Sequence, residues 1–175
     1  MRVSTTRFGD LEITDQDLFE FKEGLLGFGH LRQFIVLDDP NDEIFAWLQS
    51  CENPDVAFPI LEPGLFYDTG SIRIPKSDVE ALGLESSEQG KLFCIVTIPS
   101  DPTLMTANMK APVLLNLETR RARQCVLQDN SLEIREPIFA KLQQRVVQNP
   151  AASFKPEPEA IHAVKVQREA RDAEL

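Results

Sequence analysis

From residue 2 to about residue 129 the sequence is a succession of short apolar segments, each cut off by glycine, proline, asparagine or aspartate before it can become a helix. That spacing is the pattern of an all-β sandwich or barrel. Residues 5–8 and 11–14 flank Gly9-Asp10, which predicts a first hairpin with its tip at that glycine. Further strands are predicted over residues 18–21, 33–37 and 45–49, the last two separated by Asp38-Asp39-Pro40-Asn41-Asp42. Pro59 inside residues 57–61 predicts an edge or bulged strand, because proline lacks the N–H that a central ladder needs. Residues 92–98 form the most apolar run, so they are expected to be a central strand covered on both faces. Residues 113–117 and 124–127 predict a second hairpin around Thr119-Arg120-Arg121-Ala122.

Two places break the strand pattern. Residues 76–83 predict a short helical turn, with Ser77 and Glu80 at capping-box spacing and Gly83 at the exit. After Pro137 the period changes, and Ile138, Leu142, Arg145 and Val146 on one face predict a helix over residues 137–148. The fold class is therefore mainly β, a small antiparallel β-barrel-like domain with one short helical turn and a C-terminal helix. Residues 1–149 make up this domain. Residues 150–175 begin with proline breakers and end in a charged, alanine-rich run, predicting a tail whose residues 159–174 order as a helix on a partner.

Composition then limits the chemistry. A net charge of -10 opposes sequence-independent attraction to phosphate backbones or anionic membranes, so no direct nucleic acid and no membrane is expected as partner. The natural electrostatic complement is a basic protein face. Cys51, Cys94 and Cys125 are widely spaced among apolar residues, which reads as buried thiols in a reducing compartment. With no apolar signal segment at the N-terminus and no membrane-length run, a cytoplasmic location is expected.

No catalytic constellation is visible. His30 and His162 fall in a turn and in the tail, no Gly-x-Ser-x-Gly elbow occurs, and Gly24, Gly27 and Gly29 do not make a phosphate loop. The chain is therefore expected not to be an enzyme and to need no cofactor or metal. Asp38, Asp39, Asp42, Glu43, Glu52 and Asp55 surround Trp47 without the spacing of a calcium loop, which favours solvation or a basic partner. Trp47 itself reads as core, although tryptophan is enriched at interface hot spots. Arg120, Arg121 and Arg123 lack interleaved aromatics and read as a solvated hairpin tip, not as an RNA grip.

Four motifs, in order and in register, carry a resemblance: Phe21-Lys22-Glu23-Gly24-Leu25-Leu26-Gly27-Phe28, Trp47-Leu48-Gln49-Ser50, Cys94-Ile95-Val96-Thr97-Ile98-Pro99, and Thr106-Ala107-Asn108-Met109-Lys110-Ala111-Pro112-Val113-Leu114-Leu115-Asn116. Over residues 3–137 the chain resembles the flagellar assembly factor FliW family. The resemblance implies a non-catalytic factor that binds flagellin and antagonises the translational regulator CsrA, coupling flagellin synthesis to filament assembly. The expected contact residues are Asp39, Trp47 and Asp55 with the stretch Thr106, Ala107, Asn108, Met109, Lys110, Ala111 and Pro112. Asn108, Ala111 and Pro112 serve equally well as a bulge between strands. A glycine is common in the family where this chain has Ala122, and a positive φ there would strain the alanine. The alternative reading is a barrel that holds a small ligand such as a flavin or nucleotide in its mouth.

Overall fold

The computed structural model describes residues 1–148, with side chains to residue 144. The predicted tail, including His162 and the helix expected over residues 159–174, lies outside the described residues, as do the side chains of Arg145 and Val146.

Eleven strands and two α-helices follow one another: β1 (Arg2–Thr5), β2 (Gly9–Glu12), β3 (Phe19–Phe21), β4 (Gln33–Asp38), β5 (Ala46–Ser50), β6 (Ala57–Leu61), α1 (Lys76–Ala81), β7 (Gly90–Thr97), β8 (Thr106–Ala107), β9 (Val113–Asn116), β10 (Arg121–Gln124), β11 (Glu136–Pro137) and α2 (Phe139–Gln148). Seven of them close a barrel in the order β3-β4-β5-β6-β7-β9-β10, with β10 returning to β3. Closure leaves these strands no long open edge. Every ladder is antiparallel except the closing one, where Arg121 and Ala122 run parallel to Glu20 and Phe21. No hairpin joins β3 to β10, so chain connectivity does not impose an antiparallel pairing there. β8 and β11 extend the sheet from β7, while β1 and β2 form a separate hairpin.

This hairpin corrects two expectations. Thr5 pairs with Gly9, so the turn is Thr6-Arg7-Phe8 and Gly9 already belongs to β2. The hairpin also covers the barrel: Val3, Phe8, Leu11 and Ile13 share one core cluster with Phe34, Ile35, Val36, Leu37, Trp47 and Leu48. β5 and all of β4 after Gln33 are consequently buried on both faces, whereas β7 is only half-buried over much of its length. The long apolar run marks β7 as central because it bonds β6, β8 and β9, not because it is doubly covered. Pro59 is in an interior strand, yet β7 bonds only Ile60 and Leu61 of β6, so the proline occupies the half that lacks a second neighbour.

A second cluster, including Leu61, Leu82, Cys94, Met109, Leu127, Ile138 and Leu142, fills the space under α1 and α2. Leu142 is buried as the helical period requires. α1 forms where expected but not by the expected cap: Pro75 precedes its first residue and no side chain caps it. Its exit does use Gly83, at φ +64, and the reciprocal capping box belongs instead to Ser86 and Gln89 in the next turn.

Burial pushes the thiols of Cys51, Cys94 and Cys125 up to about 12, with Glu52 adding to the rise at Cys51 and Asp78 at Cys125. At pH 8 a thiol-exchange reagent is expected to leave all three unreacted in the folded protein and to titrate all three after denaturation. A raised folded value means the unfolded chain ionises first. The thiol contribution to stability is whole below pH 9.0 and is lost as pH rises toward about 12.

Candidate functional site

Trp47 is 8% exposed and packs edge-on against Phe8, with ring centroids 5.9 Å apart. Its indole N–H donates to Asp39 Oδ2 at 2.8 Å, and the Arg7 guanidinium lies 4.2 Å above its ring. Asp55 joins the same neighbourhood by accepting from the Thr6 hydroxyl, next to Thr6 N–H donating to the Pro54 carbonyl. The hairpin turn thus brings Asp39, Trp47 and Asp55 around residues 6–8. Acidic residues also hold backbone N–H groups, Asp39 and Asp42 within their own loop and Glu52 across to the start of β4. Asp39 Oδ1 accepts from Asn41 N, Asp42 from Ile44 N, and Glu52 from both Arg32 N and Gln33 N. Among the described residues no group of three or more His, Cys, Asp or Glu is placed to hold a metal ion.

The stretch from Thr106 to Pro112 is elsewhere, packed in the second cluster. Ala107, Met109, Ala111 and Pro112 are buried, and the Cys94 thiol approaches Met109 Sδ at 3.5 Å. Asn108 Oδ1 accepts from Lys110 N and Ala111 N, making the turn that carries β8 into β9. The carbonyls of Lys110, Ala111 and Pro112 then accept from Leu127 N, Gln124 Nε2 and Cys125 N. Of the seven residues, only Thr106, Asn108 and Lys110 reach solvent, and each is half-buried. Here the motif is first a device for turning the chain.

Of the three arginines only Arg121 is exposed, while Arg120 and Arg123 are half-buried, so the cluster as a whole is not a solvated tip. The turn falls at residues 117–120, so Arg121, Ala122 and Arg123 are already in β10 and Ala122 is a buried strand residue. The positive φ belongs to Arg120, at +60°, which stacks 4.0 Å from the Phe19 ring; burial pushes its pKa down and Asp17 opposes that. Arg123 Nε bonds Asp78 Oδ1 at 2.6 Å and its Nη1 lies 3.4 Å from Glu23. This pair ties α1 to the barrel, helped by Asn116 Nδ2 donating to the Leu82 carbonyl at 2.7 Å. Beside α1 opens a pocket of about 430 Å³ lined by Ile74, Val79, Leu84, Leu92 and Leu114. Sequence reasoning missed it, because its walls come from four separate segments, although Val79 in a short helix and Leu84 just past its Gly83 exit were the available signal.

A family model described as FliW protein matches residues 2–138. The chain belongs to the FliW family. A flagellar assembly factor FliW from Bdellovibrio bacteriovorus is 59% identical over 175 residues, covering 100% of both chains. That alignment runs through residues 150–175. One from Symbiobacterium thermophilum is 42% identical, over 70% of this chain and 90% of its own, and one from Leptospira interrogans is 34% identical, over 79% and 93%. A crystal structure of the flagellar assembly factor FliW superposes with a TM-score of 0.74 at 27% identity, covering 79% of this chain and 97% of that one. The FliW barrel and the mainly β class expected from the sequence are therefore those of the family. Among the described residues no helix is long and apolar enough to cross a membrane.

Proposed function

We propose that this FliW protein is a non-catalytic, cytoplasmic assembly factor that binds flagellin and antagonises CsrA. The family membership carries the reading, and the charge of -10 supports it, since an RNA-binding regulator needs a basic surface that an acidic antagonist attracts. Filament subunits accumulate and occupy the factor; their export frees it to hold the regulator away from its message. Asp55 is an exposed acidic group beside the hairpin turn that packs on Trp47, and Thr106, Asn108 and Lys110 are the accessible part of the second stretch. The pocket beside α1 offers a flavin or nucleotide phosphate no cation, only Glu85 among its lining residues, so that pocket does not favour the small-ligand alternative.

Size-exclusion chromatography of the purified chain with each partner tests this: co-elution with both is expected, and co-elution with neither overturns it. Asp55→Lys is expected to weaken CsrA binding by roughly two- to fivefold in low salt, with the gap closing as salt is added. Unchanged affinity and unchanged salt dependence, measured by titration calorimetry, remove Asp55 from the interface.

A further inference from the structure

We infer that the pocket beside α1 is where a partner protein docks an amphipathic helix whose aliphatic side chains are flanked by lysine or arginine. The inference rests on the partner-binding reading above and names the place and chemistry of contact. Ile74, Val79, Leu84 and Leu92 are each only half-buried, and they converge with Leu114 on one opening. Four half-exposed aliphatics on one concavity are surface that water solvates poorly and a ligand can cover. At about 430 Å³ the pocket falls within the size range of ligand sites, room enough for a small group of side chains.

The character of the walls selects the occupant. Gly90, Leu92 and Leu114 lie in the β7–β9 ladder, and β9 is bonded on its other side by β10, so β9 offers no free edge for an added strand. An occupant that satisfies its own backbone and contributes only side chains is a helix. The rim selects the charge. Glu85 lines the opening with Ser86 and Ser87, and Glu88 follows in the same turn. Neither carboxylate has an ion-pair partner among the described residues, whereas the neighbouring Glu80 is met by Lys76 at 3.7 Å. Basic residues one turn from the apolar anchors complement this rim.

The probe is a fluorescein-labelled helix-forming peptide with leucines at i, i+3, i+4 and i+7 and lysines on both flanks, titrated with the full chain by anisotropy. Binding is expected to fall at least tenfold in Leu84→Arg and several-fold in Glu85→Lys, and to be unchanged in Asp15→Lys, which makes the same charge change at an exposed loop residue. A glutamate-flanked copy of the peptide is expected to bind at least tenfold more weakly. Thermal melting verifies that each variant is folded; Glu85→Lys changes an exposed residue and keeps the test open if Leu84→Arg does not fold. Absence of binding, or binding indifferent to both pocket variants, overturns the inference. Co-elution with flagellin and with CsrA is scored separately. A chain that captures the peptide at the pocket but neither protein overturns the proposed function and leaves the pocket assigned.

Discussion

Phe21→Ala is expected to lower the unfolding free energy by about 3–5 kcal/mol, the cost of emptying a fully buried aromatic site. Phe21 is 0% exposed, lies in the closing strand β3, and meets Phe34 edge-on with centroids 5.1 Å apart. Its neighbour across the closing ladder is Ala122, too small to fill the void. For a domain whose whole stability is on the order of 5–15 kcal/mol, that loss is a large share of the total. Urea titration followed by tryptophan fluorescence measures it, with Trp47 as the reporter. Leu26→Ala is the control: Leu26 is 64% exposed, and a change within about 0.5 kcal/mol is expected. Equal effects at the two positions would contradict the placement of the core.

The second large effect is at Gly24. Its φ is +68, and a Cβ built there would come within 2.7 Å of the Phe28 carbonyl oxygen and of Gly29 Cα. Both are backbone, so nothing flexible can move aside. Gly24→Ala is expected to cost about 2–4 kcal/mol, combining the left-handed penalty with overpacking. Gly27→Ala separates the two causes, because Gly27 has φ +83 but nothing within 4 Å of the built Cβ. It is expected to cost about 1–2 kcal/mol, the conformational part alone. Thermal unfolding of the pair decides: similar melting temperatures would show that the close approach at Gly24 is relieved in solution.

These two positions also show what the sequence makes legible. The Gly24–Phe28 loop was recognisable as irregular from its glycines, and the strands from their alternation, because both signals are local. The closing contact of Phe21 with Ala122 was not recognisable. It joins residues far apart in sequence in a parallel pair that no hairpin imposes. The same limit explains the arginines. A shift of the β9–β10 turn to residues 117–120 takes Arg123 from a presumed tip into a strand, where it meets Asp78 from α1. Conversely, the residues 106–112 stood out as a motif, but sequence could not separate a contact surface from a turn. Asn108 bonding two successive backbone N–H groups, with Ala107, Met109, Ala111 and Pro112 buried, shows the turn. The acidic loop residues were counted as surface charge, yet several are spent on backbone N–H groups, Asp39 and Asp42 within their own loop and Glu52 across to Arg32 and Gln33. The pocket was illegible because no single segment contains it.

The proposed role is an exchange, on one acidic FliW barrel, of a basic regulator for a filament subunit. Its most direct test loads the full chain with labelled CsrA, adds flagellin in increasing amounts, and follows the label by size-exclusion chromatography. Flagellin is expected to release CsrA in proportion to the flagellin bound. CsrA that stays bound while flagellin also co-elutes, or a chain that takes up neither protein, would contradict it.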